Sequence, residues 1–449
     1  MRKNDLTTGK ISKTVLLFAL PYLLSCFLQT FYGMVDLFVV GLYDTSATTT
    51  AVSIGSQVTH MLTVIIVGFA MGTTVKIGRE VGQKDDEAVR KTIGSTIVLF
   101  GVLAVVLTVG LLLFCDEIVV VMKTPVEAVR ETFYYLAICF AGVPFIVAYN
   151  VISSVFRGLG DTKHPLYFVA VACVVNVALD FVFVGVFDMG ASGAALATVC
   201  GQAVSVILTL LFMPRILPGI KISKRDLEPD QTVMGNIFRV GTPIAMQDGF
   251  IQIAFIVITV IANSRGLVAA AAVGVVEKII GFLFLVPSAL LSSVSAITAQ
   301  NMGAGKPERA VGALRWGLCV TMGWGLLCGI YCQIAPGSLV GLFVKETDVI
   351  SAGCDYLRSY SWDTFFAAIH FCFSGYFCGC QKAQYSFIHN IVSIILVRIP
   401  GAYLASVWFP TSLLPMGVAA PLGSALSAAI CVGFYLYMNA LRKRVSKNE

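Results

Sequence analysis

Asp36 and Asp180 each interrupt an apolar run long enough to cross a bilayer. A carboxylate at such a depth costs about 2.5 to 3.5 kcal/mol on insertion scales, so each one calls for a reason. Asn176 lies four residues before Asp180, which on a helix puts an amide and a carboxylate on one face, one turn apart. Asp36 sits about 9 Å inside the outer end of its run, and Thr198 has a similar depth in another. A polar cage in the outer half of the membrane follows. A carboxyl withdrawn from water is more easily held neutral, so it can load and release a proton. Two carboxylates with amide and hydroxyl oxygens can equally form an oxygen-only cage for a hard cation, such as sodium, at Asp36, Asn176, Asp180 and Thr198. The residues do not choose between these uses. The plain alternative is a buried aspartate that only hydrogen-bonds a neighbouring helix.

The elements that must hold these residues are membrane helices. Of the 449 residues, 57% are hydrophobic and only 12% charged, whereas soluble domains carry charge on roughly a quarter of theirs. A water-soluble fold is excluded. Twelve apolar runs cover approximately 14–41, 51–75, 92–114, 132–156, 165–187, 191–214, 236–262, 269–298, 310–335, 354–380, 385–408 and 417–441. Each is long enough to span as a helix. They are continuous rather than alternating, which rules out a β-barrel.

The net charge of +6 does not indicate nucleic acid, because the basic residues follow the membrane. Lys and Arg gather in the leader (Arg2, Lys3, Lys10, Lys13), in 76–91, 157–164, 215–235 and 299–315, at Lys382 and after Leu441. The other side has Lys123, Arg130, Arg265 and Lys345. This asymmetry predicts a multi-pass protein of the cell membrane with both termini cytoplasmic. The first apolar run is too long for a cleavable signal peptide and reads as the first span. The 13 cysteines lie mostly inside apolar runs and read as small hydrophobes.

The stretch 215–235, with Pro218, Lys221, Lys224, Arg225 and Asp226, is the longest polar interruption and divides the spans six and six. It predicts an amino-terminal lobe over 1–214, a cytoplasmic linker over 215–235 and a carboxy-terminal lobe with a short basic tail over 236–449. Landmarks recur across it at a nearly constant offset, the mark of an internal duplication. Pro21 answers to Pro243 at 222; Ala51-Val52, Gly82, Glu87 and Gly158 answer to Ala272-Val273, Gly303, Glu308 and Gly379 at 221. An even number of crossings per lobe implies a pseudo-two-fold axis along the membrane normal, with a cleft between the lobes as the pathway. The fold class expected is therefore all-α, with twelve transmembrane helices in two six-helix lobes. Pro21 removes a helix hydrogen bond and makes the first span a candidate hinge.

These residues carry a resemblance. Leu20-Pro21 with Asp36 fifteen residues after the proline, Gly82-Gln-Lys-Asp-Asp-Glu87, Phe156-Arg-Gly-Leu-Gly-Asp-Thr-Lys163, Asn176-Val-Ala-Leu-Asp180 and Gly303-Ala-Gly-Lys-Pro-Glu308 are similar to the multidrug and toxic compound extrusion (MATE) family. The resemblance covers almost the whole chain. It implies an antiporter, a transporter rather than an enzyme, that exports amphipathic organic cations in exchange for protons or sodium ions. It also implies a coupling site in the first lobe at Asp36, Asn150, Asn176, Asp180 and Thr198. No cofactor beyond the coupling ion is expected, and the partners expected are organic cations and the bilayer, for a monomer.

Gln29, Tyr32, Gln57 and Met61 are candidate cavity residues in the first lobe, with packing as their alternative role. In the second lobe the positions answering to Asn176 and Asp180 are Val397 and Gly401, so the lobes are chemically unequal. The second lobe has its own polar set in Asp248, Gln252, Glu277, Lys278, Arg358, Asp363, His370 and Arg398. Gln252 and Asp363 are candidate cavity residues, Asp363 alternatively pairing with Arg398 or Arg358. A flippase for a lipid-linked saccharide would call for a basic cavity, and the first-lobe spans hold acids instead. An integral membrane enzyme would need clustered ligands or nucleophiles, and His60, His164, His370 and His389 show no ligand spacing. Gly158-Leu-Gly160 and Gly303-Ala-Gly-Lys306 are turns rather than phosphate loops, since Pro307 follows the lysine and no strand precedes either.

Overall fold

The computed structural model describes residues 5–216 and 223–448. Arg2 and Lys3 of the leader and residues 217–222 of the linker lie outside the described residues, as do the side chains of the basic tail. The chain divides into two compact units, one comprising Met1–Asp5 and Leu20–Gly241 and the other Leu6–Ala19 and Thr242–Glu449.

The first unit is built from α1 (Ile11–Tyr43) from Leu20 onward, α2 (Ser46–Gln83), α3 (Asp86–Leu113), the short α4 (Cys115–Val121), α5 (Val129–Ala141), α6 (Val143–Gly158), α7 (Lys163–Asp180) and α8 (Gly190–Ile216). Local chemistry sets the joints. Thr45 caps α2 through its side chain, Lys84 closes it in the left-handed conformation (φ 63°), and Asp85 accepts from Ala88 N at 2.9 Å to start α3. Asp86 and Glu87 in the first turn of α3 complement its dipole. α5 and α6 form one span bent by 48°. α7 runs on into a π-helical turn over Phe181–Val186. Small residues let helices approach closely, as expected where lipid supplies no hydrophobic drive between them. A Cβ on Gly72 of α2 would stand 2.2 Å from the Ile237 carbonyl oxygen, and one on Gly241 would stand 2.3 Å from that of Phe69. The start of α9 (Gln231–Asn263) thus crosses α2 backbone to backbone inside this unit.

The second unit continues with α10 (Leu267–Leu283), α11 (Leu285–Gly303), α12 (Pro307–Ile334), the short α13 (Pro336–Val340), α14 (Thr347–Tyr360), α15 (Asp363–Gly379), α16 (Ala383–Ser393), α17 (Ile399–Trp408) and α18 (Leu414–Asn448). A π turn over Ile394–Arg398 joins α16 to α17. Leu6, Val15, Phe18 and Ala19 pack into its core with Leu290, Val294, Leu314 and Tyr376. The segment before α1 is strapped down by Asn301 Nδ2 donating to Leu6 O (3.2 Å) and by Arg309 donating to Thr8 O and Gly9 O.

Among the described residues ten helices can cross a membrane by length and composition, and the bent α5–α6 pair makes an eleventh. The sequence places its tenth span over α14 and α15, which are 14 and 17 residues long, and α14 carries Asp348, Asp355 and Arg358. Together they begin at Thr347 and end at Gly379, the offset of 221 from Val126 and Gly158 that bound the bent pair. α3 shows what faces lipid: Val102, Val105, Val106, Val109 and Leu113 are all more than half exposed. The protein is a multi-pass membrane protein.

Candidate functional site

In the first unit α1 delivers Asp36, α8 delivers Thr198, and α7 delivers Asn176 and, at its last position, Asp180. Asp36, Asn176 and Asp180 are buried. Thr198 Oγ1 donates to Asp36 Oδ2 at 2.8 Å. The Asp36 carboxyl lies within interaction range of the Asp180 carboxyl and the Asn176 amide. Yet Asp36 Oδ1, both amide atoms of Asn176 and both carboxyl oxygens of Asp180 are buried without a well-formed hydrogen bond. Packing explains the crowding. A Cβ on Gly201, one turn beyond Thr198, would stand 3.1 Å from Asn176 Cβ and from the Ala172 carbonyl oxygen, so α7 and α8 nearly touch at this height. Beyond Asp180 the helix changes to π geometry, a device often found at functional positions. Two carboxyls side by side and away from water need a shared proton or a bound cation to be stable together. The unsatisfied oxygens are the donors that either would use.

A polar stripe runs down α1 from this cage, with Asp36, Tyr32, Gln29, Ser25 and Tyr22 at helical spacing. Gln202 Nε2 donates to Tyr32 Oη at 2.8 Å, and Gln29 Nε2 donates to Tyr149 Oη at 3.0 Å. Lower on the stripe a cavity with about 30 Å³ of room for water is lined by Tyr22, Ser25, Gln29, Tyr149, Asn150 and Arg157. Asn150, grouped with the coupling residues in the sequence, therefore lines this cavity with Gln29, and its Nδ2 donates to Ile146 O at 2.8 Å. Pro21 lies inside an uninterrupted α1, and its carbonyl accepts from Ser25 Oγ at 3.0 Å. Of the remaining cavity candidates, Gln57 is exposed and Met61 half-buried on α2, while Gln252 is half-buried on α9.

Sequence reasoning did not single out Arg157, Tyr149 or Gln202. The α1 stripe was the available signal for the latter two, since its polar members need partners on facing helices. Arg157 reads in the sequence as an ordinary cytoplasmic charge before a glycine turn, yet it is only 4% exposed.

The second unit spends its charges differently. Asp363, at the start of α15, is fully buried and accepts from Arg398 Nη2 at the end of the π turn. Of the two roles its position allowed, the structure records the ion pair with Arg398. Glu277 faces the Thr259 hydroxyl at 3.3 Å, and no ion pair with Lys278 forms among the described residues. The His370 and His389 rings are tilted by 59° with their centres 5.4 Å apart, and Ser374 Oγ lies 2.9 Å from His389 Nε2.

The chain is similar to known proteins in sequence and in fold. The sequence profile of the MatE family matches twice, over residues 21–182 and 243–404. The probable multidrug resistance protein YpnP of Bacillus subtilis is 25% identical over 97% of each chain. The multidrug export protein MepA of Staphylococcus aureus is 23% identical over 81% of each chain. Among solved structures, an outward-facing multidrug resistance MATE family transporter of the MOP superfamily superposes with a TM-score of 0.91 at 20% identity over 99% of both chains.

Proposed function

Since this chain belongs to the MatE family of multidrug efflux transporters, we propose that it is a secondary antiporter. It exports amphipathic, mostly cationic organic compounds in exchange for a proton or a sodium ion, by alternating access. Both termini face the cytoplasm, as the basic loops require. The observation that carries this reading is the pair of buried carboxyls, Asp36 and Asp180, left with unsatisfied oxygens beside Asn176 and Thr198.

The exchange follows from the carboxyls. With an ion in place the pair is neutralised and stable in its dry setting; without one, two adjacent negative charges repel. Opening the site to one side of the membrane lets the ion leave or load, and the change in charge alters which arrangement of α1, α7 and α8 is favoured. Pro21 leaves the Leu17 carbonyl without its helix donor, so α1 can bend there at lower cost than elsewhere. Gln29 and Tyr32 lie on the same face of α1 and would sense that bend. A shift in the balance of states needs an ion that binds one state more tightly than the other.

The test is ethidium efflux in proteoliposomes under separately imposed proton and sodium gradients. Efflux driven by one gradient and lost in both Asp36→Asn and Asp180→Asn supports the reading. Gradient-driven efflux that survives both substitutions overturns it.

A further inference from the structure

Arg157 closes the inner end of α6 and carries a buried guanidinium whose charge nothing nearby balances. Its Nε and Nη2 are enclosed without a hydrogen-bond partner. The ion pairs among the described residues are Lys76–Glu80, Lys91–Asp230, His164–Asp161 and Arg398–Asp363, and Arg157 is in none of them. Asp161, the nearest acid in sequence, is already engaged. Its Oδ1 accepts from the backbone of Lys163 and His164, and its Oδ2 pairs with the His164 ring.

One face of the guanidinium is covered, because Tyr22 of α1 stacks on it at 5.1 Å from the ring centre. Such a contact offsets part of the desolvation of a cation, and the carbonyl end of α6 offsets a little more. Neither supplies a full opposite charge, and removing an unpaired charge from water is strongly unfavourable. Arg157 lines the cavity described above, which has about 30 Å³ of room for water. That is room for a few waters or a single small ion. The close packing of the helix end makes the site rigid, since a Cβ on Gly158 would stand 2.8 Å from Ile77 Cβ of α2.

We propose that the first unit holds a monovalent inorganic anion of chloride's size in the Tyr22–Asn150–Arg157 cavity, held against the Arg157 guanidinium that lines it. The ion balances Arg157 and, through the stacked Tyr22, steadies α1 next to Pro21. The site is separate from the cation cage: the two ions bind at opposite ends of one polar stripe on α1.

Two measurements test this. Crystals of the full chain grown in sodium bromide should show an anomalous peak in the cavity, against the Arg157 guanidinium; water alone in that cavity overturns the proposal. Thermal unfolding of purified protein in chloride–gluconate mixtures at fixed ionic strength should give a rise in Tm that saturates with chloride. The rise should be reproduced by bromide, be lost in Arg157→Gln and persist in Tyr22→Leu. Arg157→Lys, which keeps the charge but not the planar fork, should shift the midpoint to higher chloride. Equal chloride responses in wild type and Arg157→Gln overturn the proposal. If Arg157→Gln cannot be purified, the bromide experiment on wild type decides alone. An equal rise with acetate would assign the site to carboxylates and overturn the choice of a halide-sized ion.

Discussion

Each unit brings a buried aspartate to a helix that contains a π turn, and the two make opposite use of it. In the first unit Asp180 stands immediately before the turn over Phe181–Val186 and faces another acid, Asp36. In the second, Arg398 ends the turn over Ile394–Arg398 and donates to Asp363. One arrangement sets two acids side by side with unsatisfied oxygens; the other pairs an acid with a base. On the reading proposed above, the first is the site that changes charge and the second holds shape, and the two π turns stand at positions that do not answer to each other at the offset of 221.

The largest effect that could break this contrast is on coupling. Asp36→Asn and Asp180→Asn should each abolish gradient-driven efflux while expression stays near normal, because removing a membrane charge does not harm insertion. Asp363→Asn, in contrast, should leave the number of ions exchanged per drug unchanged when both fluxes are measured in proteoliposomes. A changed ratio would show that the second unit also takes part in exchange.

Next comes stability. Breaking a buried ion pair by removing one partner costs about 3–5 kcal/mol, so Asp363→Asn and Arg398→Gln should each lower Tm markedly. In a double-mutant cycle Asp363→Asn/Arg398→Gln should cost less than the two single losses added together, and Asp363→Leu/Arg398→Met, which replaces both charges by apolar side chains, should recover much of the loss. Additive losses would mean that the pair does not act as a unit. Pro21→Ala should slow turnover while substrate binding is retained, read by comparing equilibrium binding with efflux rate. Thr198→Val removes one hydrogen bond to the Asp36 carboxylate, worth about 1.5–3 kcal/mol, so affinity for the coupling ion should change about ten- to a hundredfold without loss of expression: tighter if the ion is a proton, because the charged carboxyl loses a donor, and weaker if it is sodium, because the cage loses a hydroxyl oxygen.

The smallest effect is at the surface of the first unit. Lys91 holds the Asp230 carboxyl down at about 2, helped by the backbone of Val233 and Thr232 at the start of α9. An acid held below its ordinary value stabilises the fold above that value and loses the contribution as pH falls toward about 2. Lys91→Ala should therefore narrow the difference in Tm between neutral and strongly acidic pH slightly, and leave the second unit's Trp324 and Trp362 emission unaffected.

The legible parts of this molecule were those written locally. Asn176 and Asp180 share a helix face because they are four apart, and the repeated start and stop residues, such as Gly82–Glu87 and Gly303–Glu308, mark the same joints in both units. Depth across different helices was harder to read. Asn150 counts deeper along the chain than Asp36 and Thr198, and it lines the lower cavity; its place among the coupling residues came from the resemblance alone. The Asp363–Arg398 pair joins residues 35 apart on separate helices, where sequence offered Arg358 equally well. Arg157 was hidden because a positive charge at an inner helix end usually faces water, and only packing of α1 and α2 around it shows otherwise.

The crossing of α9 over α2 at Gly72 and Gly241 has a practical consequence for dissecting the protein. The first compact unit is completed by residues 231–241, and the second includes Leu6–Ala19. A polypeptide cut between Glu228 and Pro229 would therefore give two fragments that each lack a piece of their own core. Expressed singly, each should be cleared by proteolysis; expressed together, they should protect one another and restore drug resistance, so that fragment complementation reports on the exchanged helix ends.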